Sequence, residues 1–120
     1  MKVLTMMEQE RNNRPWGYYQ VFDTGKNFQV KKLVINPGQQ TSLQFHLNRD
    51  EYWIVVQGTG RYILDSTIHN LCPGISAFIP RGSLHRIIGN QEEPLIIIEV
   101  WVGDLLSEED IIRIEDDYGR

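Results

Sequence analysis

Gln44-Phe45-His46-Leu47-Asn48-Arg49-Asp50-Glu51 is the stretch on which the reading of this chain turns. Gln44 and His46 are two residues apart, so on a β-strand their side chains leave the same face. Glu51 follows five positions after His46, far enough to come back from a turn. Downstream, Pro80-Arg81-Gly82-Ser83-Leu84-His85 supplies a second imidazole. Two neutral nitrogens, an amide oxygen and a carboxylate form a donor set that can hold a divalent ion and leave positions open for a substrate. Gln44, His46, Glu51 and His85 are therefore the candidate metal ligands.

Around this stretch the chain reads as short strands separated by turns. Runs at 18–22, 28–35, 41–45, 52–57, 61–64, 68–71, 75–79, 85–88 and 95–102 are rich in β-branched and aromatic residues, and Gly, Pro, Asn and Asp clusters punctuate them. That spacing predicts an all-β sandwich or barrel. The tail differs: Ser107-Glu108-Glu109-Asp110 has the composition of a helix start, with Ser107 as cap and acids in the first turn. A short C-terminal helix is expected there, with Ile111, Ile112, Ile114 and Tyr118 packing back on the barrel.

Bulk composition sets outer bounds. The chain has 120 residues, 41% of them hydrophobic, which fits one domain with a real core. Residues 1–13 read as an N-terminal arm and 14–120 as the folded domain. The net charge is −4 and no basic stripe is visible, which argues against nucleic acid. Cys72 is the single cysteine, expected to pack as a small apolar residue, so no internal disulfide forms and a cytoplasmic setting is expected. The first residues lack the apolar run of a signal peptide, and apolar runs such as residues 95–98 are too short to cross a membrane.

The offsets carry more weight than any single residue. Five residues separate Gly38 from Gln44, four separate His46 from Glu51, and six separate Glu51 from Gly58. Five separate Gly74 from Pro80; then come Gly82 and, after two more, His85. This pair of patterns resembles the two motifs of the cupin superfamily, with Gln44 in place of the first histidine. The resemblance implies a small double-stranded β-helix, or jelly-roll barrel, with a metal inside it.

A narrower resemblance runs through Arg14-Pro15-Trp16-Gly17, Ser42-Leu43-Gln44, His46, Arg49, Glu51, Trp53, Gly58, Ile79-Pro80, His85-Arg86, Glu99-Val100 and Ile114-Glu115-Asp116 to Tyr118-Gly119-Arg120. In that order they resemble the C-terminal domain of type II mannose-6-phosphate isomerases. In many of those proteins the domain follows a mannose-1-phosphate guanylyltransferase domain. Such a domain, with its Gly-rich nucleotide loop, is not among these residues, so GDP-mannose synthesis is not implied.

The resemblance implies interconversion of mannose 6-phosphate and fructose 6-phosphate, with one divalent ion (zinc, manganese or cobalt) on Gln44, His46, Glu51 and His85. It implies a role for Arg49 in isomerase activity and for Ser42 in substrate binding. Lys31 and Arg86 are candidate phosphate ligands, as are Arg14 and Arg81. Glu99, alternating with Ile98 and Val100, is one candidate base, and a metal-bound hydroxide is the other. Three departures stand out: Leu47-Asn48 replaces a run of histidines, Tyr52 replaces the histidine of a Glu-His-Trp segment, and Ile88-Gly89 replaces Glu-Asn. Losing the histidine at position 52 removes a proton carrier near neutral pH. A non-catalytic metal- or sugar-binding cupin, or an oxygen-using one such as a dioxygenase, is the alternative, since the fold hosts all three. A homodimer is expected from exposed strand edges and the apolar Val3, Leu4, Met6 and Met7.

Overall fold

The computed structural model describes residues 10–120, so the expectations placed on Val3, Leu4, Met6 and Met7 lie outside the described residues. The strands form two antiparallel sheets. One runs in the order β1 (Asn12–Arg14), β2 (Gly17–Thr24), β3 (Phe28–Ile35), β10 (Leu95–Val102), β5 (Asp50–Gln57), β8 (Ser76–Ile79). The other runs β11 (Ile112–Glu115), β4 (Leu43–Phe45), β9 (His85–Gly89), β6 (Gly60–Leu64), β7 (Thr67–Leu71). Asn12 and Asn13, inside the stretch read as an arm, pair with Tyr19 and Tyr18.

Strict alternation decides what faces inward. Along β5, Glu51, Trp53 and Val55 are buried, while Tyr52, Ile54 and Val56 are exposed. The apolar inward residues Leu33, Ile35, Trp53, Val55, Tyr62, Ile87, Leu95 and Ile97 make one core between the sheets. That core fills one end of the barrel. Toward the other end the same inward positions are polar: register sets Glu99 between Lys31 and Trp53, and Trp101 between Gln29 and Glu51. The period-2 pattern thus delivers carboxylates and a lysine to the interior by the same rule that delivers isoleucine.

Gly58 closes the β5–β6 turn and has no alternative there. Its φ is +81°, and a Cβ would lie 2.2 Å from the Pro94 carbonyl oxygen.

The tail corrects one expectation. Among the described residues there is no helix. The Ser107 hydroxyl does accept the Glu109 N–H, as a cap would, but a single turn follows and the chain then extends into β11. Two tertiary contacts override the local helix signal: β11 pairs with the otherwise open edge of β4, and Asp110 is drawn onto the turn that follows β4. Tyr118 packs against the core, whereas Ile112 and Ile114 are exposed. Cys72 is also exposed rather than packed, because it sits in the turn after β7.

No helix among the described residues is long and apolar enough to cross a membrane. Ile97 is fully buried at the centre of the apolar end. Replacing it with alanine should cost about 2–5 kcal/mol, read as a lower denaturant midpoint with an unchanged slope.

Candidate metal centre

β4, the turn that follows it, β5 and β9 bring four sequence-predicted residues together. Gln44 lies opposite His85 in the β4–β9 pairing, and Glu51 is the inward residue at the start of β5. His46 sits just past β4, and its Nε2 is 3.1 Å from His85 Nε2 and 3.1 Å from Glu51 Oε2. Glu51 Oε1 is 3.9 Å from His85 Nε2. All three residues are at most 2% exposed.

The tautomers follow from the second contact of each ring. His46 Nδ1 donates to the Asp110 carbonyl at 2.7 Å, and His85 Nδ1 donates to the Ser83 carbonyl at 2.9 Å. In the neutral rings both Nε2 atoms therefore present lone pairs, and they present them to each other and to a carboxylate. Such an arrangement requires a cation or a shared proton between them. Arg49 supplies part of that charge: its Nη2 reaches His46 Nε2 at 3.2 Å and its Nε reaches Glu51 Oε2 at 2.9 Å. The donor set is chemically fit for a divalent ion, and His46, Glu51 and His85 form a possible three-residue metal site.

Gln44 is at the site but presents its amide nitrogen to His46 Nε2, at 3.4 Å, while its Oε1 accepts the Ser42 hydroxyl at 2.6 Å. A half-turn of the amide would aim Oε1 at the histidines. Ser42 would then accept from Nε2, because a hydroxyl can act either way.

The charges around the ligands are held in tension. Burial by itself would raise the Glu51 carboxyl, but pairing with His46 and the charges of His85 and Arg49 outweigh it and hold Glu51 well below the usual carboxylate range. Glu99 goes the other way: burial and then the Glu51 charge push it well above that range, against the pull of Lys31. Burial beside the Glu51 charge thus favours the protonated form of Glu99. Glu99 Oε1 also accepts the Trp101 indole N–H at 2.7 Å, and Glu51 Oε1 accepts that of Trp53 at 3.0 Å. Burial lowers Lys31 below the usual lysine value, against the opposing charges of Glu99 and Glu108. Burial likewise lowers His85, and the Glu51 charge only partly opposes it.

Not every residue singled out from the sequence reaches the cleft above these ligands. Lys31 and Glu99 line it. Arg49 does too, but it is 5% exposed, sits over the Trp101 ring with Cζ 3.5 Å from the centroid, and donates to the Ser107 and Asp110 carbonyls. Ser42 touches the centre only through Gln44. Arg86 is pinned to the Thr41 and Glu115 carbonyls, tying β9 to its neighbours, and does not line the cleft. Arg81 pairs with Asp50.

Tyr52 points out of the barrel, 48% exposed and against Phe78. A histidine at that position would also face outward, so its loss removes no proton carrier from the centre. Asp110 was legible only as a helix-start acid, yet it organises the site. Its carboxylate accepts the Leu47 and Asn48 N–H groups at 2.9 Å while its carbonyl fixes His46. No local pattern ties residue 110 to residue 46, so the sequence carried no signal for this.

Two outcomes follow for metal-stripped protein. Glu99→Gln keeps the acceptor for Trp101 and removes the ionisable carboxyl. A carboxyl with a raised folded pKa favours folding at low pH, and this contribution is lost as pH rises toward that pKa. The variant should therefore gain stability over the parent at pH 8 but not at pH 4, measured by denaturant unfolding. In the parent, His85 has a lowered folded pKa, so the unfolded chain binds the extra proton. Stability should fall as pH drops through about 6.5, the ordinary histidine value. Tyr52→His should leave metal affinity unchanged by calorimetry.

The family model described as "Mannose-6-phosphate isomerase C-terminal" matches residues 4–116. The alginate biosynthesis protein AlgA of Pseudomonas aeruginosa is 47% identical over 107 residues, 89% of this chain and 22% of the relative. The mannose-1-phosphate guanylyltransferase ManC of Salmonella typhimurium is 41% identical over the same share of each. The chain thus spans about a fifth of the length of these relatives. Among solved structures, oxalate decarboxylase OxdC of Bacillus subtilis superposes with a TM-score of 0.79 at 18% identity, over 90% of this chain and 31% of that one. A double-stranded β-helix protein from Klebsiella pneumoniae gives 0.76 at 19% identity over 97% and 99% of the two chains. These structural likenesses show the fold: a cupin double-stranded β-helix.

Proposed function

The chain belongs to the mannose-6-phosphate isomerase C-terminal family, and on that premise we propose that its cleft isomerises a sugar phosphate, interconverting mannose 6-phosphate and fructose 6-phosphate. The observation that carries the reading is the convergence of His46 Nε2, His85 Nε2 and the Glu51 carboxylate at the floor of a cleft that Glu99 also lines.

His46, His85 and Glu51 would hold one divalent ion (zinc, manganese or cobalt), with Gln44 as a fourth ligand after its amide turns. Such an ion supplies a Lewis acid for the sugar carbonyl oxygen. The reaction moves a proton between the first and second carbons through an enediol, and needs a base beside them. Glu99 fits that role. It is buried in the cleft wall and oriented by the Trp101 indole, and an ion held on Glu51 would offset the neighbouring charge that favours its protonated form, leaving the carboxylate able to take the proton. Arg49 acts by position: with its guanidinium spread between Trp101, Glu51 and His46, it balances charge at the floor and holds the ligands apart from solvent. Ser42 sets the Gln44 amide.

The outer face of the larger sheet supports a homodimer. Tyr52, Ile54, Val56, Phe78 and Val102 are exposed there, on neighbouring strands. Ile54→Asp should shift the sedimentation coefficient to that of a monomer without loss of fold by circular dichroism. A cytoplasmic setting fits the single, exposed thiol.

The test of the reaction is turnover. Protein stripped of metal and reloaded with zinc, cobalt, manganese or magnesium should convert mannose 6-phosphate to fructose 6-phosphate in a coupled assay, and His46→Ala should abolish it. If no metal restores turnover while the ion still binds the parent and not the variant, the chain is a binding cupin instead.

A further inference from the structure

The rim of the cleft carries charge that the metal centre does not use. Five of the chain's twelve lysines and arginines line the cleft, against three of its sixteen acids, although the chain as a whole is net acidic. Two of those five, Lys31 and Arg49, belong to the floor. The other three are Arg14 from β1, Arg113 from β11 and Arg120 from the end of the tail, so widely separated parts of the sequence converge there.

Their surroundings differ in a useful way. Arg14 donates to the Tyr19 hydroxyl at 3.2 Å and to the Asn13 carbonyl at 2.8 Å, which fixes its direction. Arg120 is held by the Asp116 carboxylate through Nε at 3.0 Å and Nη2 at 3.1 Å, leaving Nη1 uncommitted. The Arg113 guanidinium makes no hydrogen bond or ion pair among the described residues. Arg14 and Arg120 are near enough for their charges to act on Arg113, which only Asp116 offsets. Like charges gathered at a cleft mouth, one of them without a partner, are an arrangement that a multiply charged anion relieves.

We propose that Arg14, Arg113 and Arg120 form the subsite for the phosphate group of the substrate, with Arg113 as its principal ligand. The inference rests on the sugar-phosphate reading and refines it. It sets the phosphate at the rim, with the sugar carbons reaching down toward Glu99 and the histidines. It also displaces Arg86, which is consumed by backbone carbonyls, from the role its position in the sequence suggested. Arg113 offers planar, paired donors suited to phosphate oxygens, and its exposure leaves it free to close on the ligand.

The experiment titrates metal-loaded protein with mannose 6-phosphate and, separately, with mannose, by calorimetry. The parent, Arg113→Gln, Arg14→Gln and a control, Arg61→Gln, whose arginine does not line the cleft, are compared, and turnover is measured on the same preparations. Arg113→Gln should weaken mannose 6-phosphate binding roughly 10- to 100-fold, as expected for losing hydrogen bonds to a charged group. Arg14→Gln should weaken it in the same direction, while mannose binding and metal content stay unchanged and Arg61→Gln matches the parent. Equal binding by the parent and Arg113→Gln would overturn the subsite, and so would a parent that does not bind the phosphorylated sugar. Turnover that persists with unchanged KM in Arg113→Gln would sink the subsite and leave the isomerase standing. Arg113-dependent binding without turnover in the parent would do the reverse.

Discussion

Two imidazole nitrogens that both carry lone pairs face each other at 3.1 Å inside the barrel. Everything around them is arranged to hold that unfavourable contact in place. The Asp110 and Ser83 carbonyls fix the ring tautomers, Glu51 closes the third side, and the Arg49 guanidinium lends positive charge. Buried donors and acceptors of this kind are costly unless each is satisfied. Here each is tied to backbone or to a neighbour, and where the two rings meet only the Arg49 guanidinium and the Gln44 amide nitrogen offset the facing lone pairs. An interior held open in this way is prepared for a cation.

The same constraint explains why the barrel has two unlike ends. Alternation along β3, β5 and β10 delivers Leu33, Ile35, Val55, Leu95 and Ile97 to one end, and Lys31, Glu51, Glu99 and Trp101 to the other. The apolar end stabilises the fold and makes the polar end affordable. Tryptophans mediate between them. Trp53 and Trp101 are buried at 2% exposure, yet each donates its indole N–H to a carboxylate. Trp101 also carries the Lys31 ammonium and the Arg49 guanidinium against its ring, at 3.4 and 3.5 Å. One aromatic side chain thereby packs the barrel and anchors two charges of the centre.

The convergence of most of the candidate ligands was legible because it depends on local period and fixed offsets. Gln44 and His46 share a face, Glu51 returns after one turn, and His85 follows a Pro-Gly corner. β3 and β10 have the bounds that the hydrophobic runs predicted. What escaped depended on partners distant in sequence. The tail carries a helix cap and helix-start acids, yet it forms a strand because β4 offers it an edge and the 47–48 backbone captures Asp110. The identity of residue 52 looked decisive for turnover only while its face was unknown; one residue beyond Glu51, it necessarily points outward. Arg86 and Arg113 look alike as sequence. Only tertiary structure shows that the first is consumed by carbonyls while the second stands at the rim.

The most direct test of the centre is a crystal structure of zinc- or manganese-loaded protein with anomalous diffraction collected at the metal edge. The account predicts a single anomalous peak between the histidines, within about 2.0–2.3 Å of His46 Nε2 and His85 Nε2, with a Glu51 oxygen at similar range. A peak elsewhere, or none, with His46 and His85 joined by a shared proton in the loaded crystals, would contradict it.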